Sequence, residues 1–257
     1  MLFNQIIFGP VRSRRLGTSL GINLLPADVK LCTYNCIYCE CGWGETEEIL
    51  PSKMLPAETM VPVLEEKFKT LKDSQVHLDS ITYSGNGEPT VHPQFGEITE
   101  QVIRLRDAYF PQTIITCLSN STQLHRPDVL RALQRIDNPV MKLDAGIQTT
   151  FEQINKPFAK MDVADICGYL SQFQGNLTVQ TLFLKGVLDD GTQIDNTTDA
   201  ELSAWLDCLK AINPHTAMLY PIDRETPAKN LVKIEKPLLE QIAERVKALG
   251  IKALVYS

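Results

Sequence analysis

Strands that alternate with helices, polar motifs that fall where strands end, and no internal repeat predict an α/β fold. The alternation implies parallel βα units, and six or seven of them suit an open or partial (β/α)6 barrel on a parallel sheet. At 257 residues the chain is long enough for one such domain, so residues 1–257 are read as a single unit. In such folds the working groups sit at the C-terminal ends of the strands.

The elements follow in order. Residues 1–18 are an N-terminal extension: the apolar run Ile6, Ile7, Phe8, a Gly9-Pro10 turn, then Arg12, Arg14 and Arg15. Residues 19–25, SLGINLL, read as a short buried strand stopped by Pro26, which feeds a cysteine-rich loop over residues 30–45. Pro56 opens a helix whose apolar residues Met60, Leu64, Phe68 and Leu71 recur at helical spacing. A strand over residues 79–84 runs into GNGEPT, and a helix covers residues 95–108. TIITCL, residues 113–118, has the β-branched composition of a strand buried on both faces. A short helix from Arg126, a strand at residues 140–143 ending at Asp144, and a helix capped by Asp162 come next. The strand LTVQTLFL covers residues 177–184, followed by Lys185-Gly186. Thr198 with Glu201 three residues on is a capping-box pattern for a helix to Ile212. A strand at 215–220, a loop at 221–228, a helix at 234–249 stopped by Gly250, and a strand at 251–256 complete the chain.

Composition narrows the function. A formal charge of −6 argues against general electrostatic binding of nucleic acid, leaving only a local basic site. No apolar run approaches the roughly 20 residues of a membrane span, and the N-terminal arginines follow the apolar residues, the reverse of a secretory signal. Seven cysteines, an odd number with several in one short loop, do not make a secreted disulfide framework. A reduced, cytoplasmic protein without membrane contact is expected.

The loop KLCTYNCIYCECGWGE is the feature around which the rest is arranged. Cys32, Cys36 and Cys39 are spaced C-x3-C-x2-C, and Cys41 follows two residues later. Soft thiolates this close suit an iron–sulfur cluster, and three ligands leave one iron of a [4Fe–4S] cube open. Four thiols including Cys41 could also satisfy tetrahedral zinc, although the x1 spacing of the last two strains that geometry. Cys117, Cys167 and Cys208 read as buried small hydrophobes, and the four histidines show no ligand spacing.

C-x3-C-x2-C with Tyr38 before the third cysteine resembles the signature of the radical S-adenosylmethionine (SAM) enzymes. GPVRSRRLGTSLGINLLP, SGNGEPTVHP, MKLDAG, LTVQTLFLKG and YPIDRETPA extend that resemblance over essentially the whole chain. They are similar to a group of small iron–sulfur oxidoreductases that share the core of the tRNA wyosine-forming synthases. Those synthases use extra cysteines before the triad, and this chain has none before Cys32.

The resemblance implies a radical SAM barrel in which Cys32, Cys36 and Cys39 hold a [4Fe–4S] cluster and SAM chelates the open iron. Reductive cleavage then yields a 5′-deoxyadenosyl radical that abstracts hydrogen from a substrate. It implies that Gly85, Gly87 and Glu88 lie at the amino group of SAM, with Glu88 fixing the loop or aiding amine recognition. Tyr38 packs near adenine in this reading, Asn120 lies near the methionyl carboxylate or ribose, and Asp144 and Gln180 complete the cofactor contacts. An external one-electron donor of flavodoxin or ferredoxin type is implied. For the substrate, an RNA base, a peptide or a small metabolite are the candidates, met by Arg12, Arg14, Arg15, Lys142 and Arg224. An RNA site would combine the arginines with Lys30. A second class of reading is an accessory cluster-bearing interaction protein without catalysis of its own.

Overall fold

Ten strands and seven helices form among residues 2–44 and 51–257, which the computed structural model describes. Glu45, the last residue of the predicted cluster-binding loop, lies outside them. The chain runs β1 (Ile7–Ser13), β2 (Gly17–Ile22), α1 (Ala57–Asp73), β3 (Ser80–Tyr83), α2 (Phe95–Tyr109) and β4 (Ile114–Ser119). It continues through α3 (Pro127–Arg135), β5 (Asn138–Lys142), α4 (Gln148–Asn155), α5 (Val163–Ser171) and β6 (Thr178–Val187). The last part is β7 (Gln193–Asp195), α6 (Asp199–Ile212), β8 (Thr216–Pro221), β9 (Leu231–Lys233), α7 (Lys236–Lys247) and β10 (Lys252–Val255).

The sheet order is β1-β2-β3-β4-β5-β6-β8-β10, parallel from β2 to β10. It is the expected partial (β/α) barrel, open between its first and last strands. The periodicity that predicted α1 is the face that packs: Met60, Leu64, Phe68 and Leu71 are all buried. β3 is buried along its whole length, as a strand covered on both faces must be. On the β6 side, Trp205 of α6 packs edge-on to Phe183 at 5.3 Å. Its indole N–H donates to the Leu143 carbonyl at 3.2 Å and to Thr181 Oγ1 at 3.1 Å. Thus the large buried aromatic also satisfies its polar edge.

Three expectations change. The N-terminal extension is a strand: β1 pairs antiparallel with β2, with a register shift between Phe8 and Val11 where the Gly-Pro pair sits. β6 is longer than its apolar run, because Lys185 and Gly186 continue the strand and pair with β7 and β9. A Cβ at Gly186 would lie 2.5 Å from the Asn230 carbonyl, so that close strand needs glycine. α4 was not expected at all, although Phe151 and Ile154 are its buried apolar residues.

The β1–β2 turn reaches across the open side of the barrel. Arg14 donates to the backbone carbonyl of Ser257, beyond β10, at 3.2 Å and pairs with Asp223 after β8. Both partners are exposed, so the pair adds little stability but links the two edges of the sheet.

The capping box is only half formed. Thr198 Oγ1 accepts from Glu201 N at 3.3 Å. The Glu201 side chain turns away from the cap and accepts from the backbone N–H of Gly146 and, at 3.2 Å, of Ile147. This carboxylate therefore fixes the turn that leads from β5 into α4. Burial raises its pKa above the ordinary 4.5, so the folded state holds the proton more tightly than the unfolded chain does. Its stability contribution is present below 4.5 and is lost as pH rises through the folded value. Glu201→Gln, which keeps an acceptor and removes the titration, should gain stability relative to wild type as pH is raised from about 4 to 7. Urea unfolding at the two ends of that range checks this; a constant difference would refute it.

Candidate active site

The site lies at the C-terminal ends of the parallel strands, where the loop after β2 crosses the mouth of the barrel. The backbone holds that loop from three sides. Leu31 pairs with Gly87 in a parallel bridge, through Leu31 N to Asn86 O and Glu88 N to Leu31 O, both 2.9 Å. The end of α4 receives Asn35 N and Ile37 N on the carbonyls of Asn155 and Ile154, each at 3.0 Å. The carbonyl of Ile37 accepts Ala228 N at 3.1 Å. Within the loop, Cys39 N reaches Cys36 O at 3.1 Å and Gly42 N reaches Cys39 O at 2.9 Å, two successive tight turns that bring the cysteines round.

All seven cysteines are free thiols. Burial pushes the Cys32 thiol up to about 12 and also raises Cys36. The neighbouring Cys41 thiol holds the Cys39 pKa below the ordinary cysteine value. Cys41 also lies 3.5 Å from the carbonyl of Gly85. Among the described residues, no three His, Cys, Asp or Glu side chains close around a point that would hold one metal ion. The four-sulfur cage expected of a zinc module is thus not formed there. A four-iron cube spreads its ligands more widely than a single ion does, and three soft thiols on one short turn fit that donor set.

The two glycines of GNGEPT have a packing reason. Gly87 has φ +135°, and a Cβ there would lie 1.8 Å from the Leu31 carbonyl oxygen. A Cβ at Gly85, φ +147°, would meet the Asn23 side chain at 2.3 Å. Both residues let the loop lie against the chain's own β2 end and cysteine turn. Glu88 is buried among donors: Thr90 N at 3.1 Å, Thr90 Oγ1, Ser119 Oγ at 2.9 Å, and Asn120 N. Burial raises its pKa against the opposing pull of these donors. Glu88 thereby ties the glycine segment to the end of β4, the loop-fixing alternative of the sequence reading.

Asn120 lies at the same strand end, its amide 3.5 Å from Cys32 Sγ and 2.8 Å from Thr33 Oγ1. On β5 and just beyond it, Lys142 and Asp144 point to one side, as strand alternation requires, and lie 3.3 Å apart. The Tyr38 hydroxyl bonds to both, with Lys142 Nζ also 4.6 Å over its ring. Burial, the largest single influence, would lower the Lys142 pKa, but Asp144 together with Cys36, Tyr220 and Cys39 holds the ammonium well above its usual value. Asp144 accepts further from Leu182 N at 3.0 Å and Asn155 Nδ2 at 2.8 Å.

Of the basic residues expected at the substrate, Arg15 and Lys142 reach the interior. Arg15 donates to Gln180 Oε1 at 3.1 Å, and its guanidinium lies 4.8 Å over the Tyr220 ring. Arg12 is exposed on β1, Arg14 is taken by Asp223, and Arg224 pairs with Glu40 on the surface. Lys30 is buried, with its ammonium on the Gly42 carbonyl at 2.8 Å, so it closes the cysteine loop and cannot join a surface RNA site with the arginines. His92 is structural, bonded to Leu55 O at 3.0 Å and Gln94 N at 3.1 Å. The residues that sequence reading missed are Asn155, Ser119, Tyr220 and Thr33. For Asn155 a signal existed: Phe151 and Ile154 mark one helical face directly before it.

Comparison with known proteins gives the family and the fold. Residues 29–191 match the model of the radical SAM superfamily. A UPF0026 protein of Helicobacter pylori is 33% identical over 238 residues, 91% of this chain and 72% of that one. A radical SAM methyltransferase from Sphaerobacter thermophilus superposes with a TM-score of 0.64 at 17% identity, over 93% of this chain and 65% of that chain. Archaeal TYW1 superposes with a TM-score of 0.51 at 11% identity, over 90% of this chain and 71% of that chain. These two structures share the fold, and the chain spans less than two thirds of the methyltransferase.

The fold is thus that of a SAM-dependent radical barrel. The chain belongs to the radical SAM superfamily. Among the described residues no helix is long and apolar enough to cross a membrane.

Two substitutions test the site's framework. Gly87→Ala should destabilise the protein by more than about 2 kcal/mol and loosen the cysteine loop, since backbone lies where the methyl would go. Glu88→Ala should cost about 3 kcal/mol or more, because it strands several buried donors at once, whereas Glu88→Gln should cost less. Urea unfolding of the metal-free protein measures both; wild-type stability in either alanine variant would contradict the role given to that residue.

Proposed function

We propose that Cys32, Cys36 and Cys39 hold a [4Fe–4S] cluster and that SAM binds beside it against residues 85–88. The reading rests on the Leu31–Gly87 pairing, which sets the cysteine turn directly against the glycine segment. When bound, the cluster and SAM together supply a 5′-deoxyadenosyl radical for hydrogen abstraction.

The chain's own residues have separable tasks in this reading. Residues 85–87 offer backbone carbonyls to the amino group of SAM, on a loop that Glu88 holds rigid. Asn120 lies at the end of β4 beside Cys32, on the side where the methionyl carboxylate or ribose would lie, and frames that position rather than bonding to it. Tyr38, Asp144 and Lys142 form one buried polar wall, and Gln180 with Tyr220 forms the next. Cys41 stays off the cluster, because ligation by a fourth thiolate would block SAM.

The substrate enters over Arg15. This arginine has no carboxylate partner among the described residues, and its guanidinium lies between Gln180 and the Tyr220 ring. An anionic or carbonyl group on the substrate would complete it. The dispersal of Arg12, Arg14 and Arg224 removes the continuous basic face that RNA binding uses, so a small molecule or peptide is favoured over an RNA base. Reduction would come from a flavodoxin or ferredoxin in the cytoplasm. No observation favours the accessory-protein reading.

Anaerobic reconstitution with iron and sulfide, reduction by dithionite and chromatography with SAM provide the test. The protein should release methionine and 5′-deoxyadenosine, and Cys36→Ala should lower that yield at least about a hundredfold, as loss of an essential group does. A fully assembled cluster that neither binds nor cleaves SAM would overturn the proposal and restore the accessory-protein reading.

A further inference from the structure

Two asparagine amides are aimed at cysteine sulfurs. Asn155, fully buried at the end of α4, places Nδ2 3.4 Å from Cys36 Sγ and 2.8 Å from Asp144 Oδ2. Asn120, at the end of β4, places Nδ2 3.5 Å from Cys32 Sγ and 2.8 Å from Thr33 Oγ1. In each case the partners fix which way the amide faces. Asp144 already takes donors from Tyr38, Lys142 and the Leu182 backbone, so as a carboxylate it presents only acceptors to Asn155. The Asn120 carbonyl is held by Thr122 N, which can only donate, at 3.1 Å. An amide NH2 carries two protons; one goes to an oxygen and the other to sulfur, for both residues.

The cost of Asn155 points the same way. Its Oδ1 is buried without a partner, a loss of about 1–3 kcal/mol in ordinary bookkeeping. An apolar side chain would avoid that loss but would take one donor from Asp144; the bond to Asp144 uses one amide proton and leaves the second, aimed at Cys36 Sγ, unexplained. What the amide provides is an N–H dipole on a thiol sulfur, at a helix end already bonded to the cysteine loop through the Asn155 carbonyl.

We infer that Asn155 and Asn120 are positioning residues that raise the reduction potential of a cluster held by Cys32, Cys36 and Cys39. The inference rests on the cluster reading proposed above and concerns how readily that cluster accepts its electron. The step is [4Fe–4S]2+ + e− → [4Fe–4S]+, with the electron drawn from an external one-electron donor and no proton transferred. The added negative charge spreads onto the ligand sulfurs, so an N–H pointing at sulfur stabilises the reduced form more than the oxidised one. Asp144 acts through Asn155: held by Tyr38, Lys142 and the backbone of β6, it fixes the amide that meets Cys36.

The test is a redox titration of the anaerobically reconstituted full chain without SAM, followed by the electron paramagnetic resonance of the reduced cluster. Asn155→Leu and Asn120→Leu should each move the midpoint potential negative, by about tenfold in electron affinity or about 59 mV for one electron. A four-iron cluster in both variants with the wild-type potential would overturn the inference. Resonance Raman spectra of the wild type in H2O and D2O give a readout that needs no variant. Iron–Sγ stretching bands should shift on deuteration of the amides, and bands that do not move would equally overturn it. Failure of the wild type to take up four irons would sink the cluster reading and this inference together, whereas a normal cluster that cleaves SAM with an unmoved potential would sink the inference alone.

Discussion

The short parallel bridge between Leu31 and Gly87 is the contact on which the rest of the site depends. Two backbone hydrogen bonds of 2.9 Å join the residue before Cys32 to the glycine segment that follows β3. The contact demands a missing side chain, since a Cβ at Gly87 would fall 1.8 Å from the Leu31 carbonyl. A pair of hydrogen bonds is worth only about 1–3 kcal/mol in net stability. Its importance is geometric: without it the cysteine turn has no fixed relation to the strand end that it serves.

A second constraint sits opposite, at Asp144. One buried carboxylate gathers the Tyr38 hydroxyl from the cysteine loop, Lys142 from β5, Asn155 from α4 and a backbone N–H from β6. Burying a carboxylate requires that its oxygens be met by donors, and here four are supplied, the Lys142 ammonium among them. Removing a single partner from such a network costs more than the pair contributes, because the remaining charge stays buried. The cysteine loop is thus held by backbone pairing on the β3 side and by a charged network on the β5–β6 side.

Much of this was legible in the sequence because the relevant signals are local. Apolar residues at helical spacing located α1 and α2, the β-branched run located β4, and cysteine spacing located the loop. The alternation of Lys142 and Asp144 with apolar neighbours placed both charges on one side of β5. The misses are non-local. β1 becomes a strand only because β2 offers it an edge, and the Lys185-Gly186 pair stays extended only because β7 and β9 pair with it. Glu201 looked like a capping residue, yet two N–H groups more than fifty positions away outcompete the local bond. Lys30 was joined with the arginines as a possible RNA site, whereas its ammonium is enclosed by the turn that it closes. The glycines of GNGEPT were marked for a cofactor contact; the structure shows that the chain itself, at Leu31 and Asn23, also requires them.

The most direct test of the central claim is a crystal structure of the anaerobically reconstituted protein with data collected at the iron absorption edge. The account predicts anomalous density for four irons against Cys32, Cys36 and Cys39, one iron facing residues 85–87, and the Cys41 sulfur unbonded. A single metal peak enclosed by all four sulfurs, or irons that reach Cys41 and leave no open position, would contradict it.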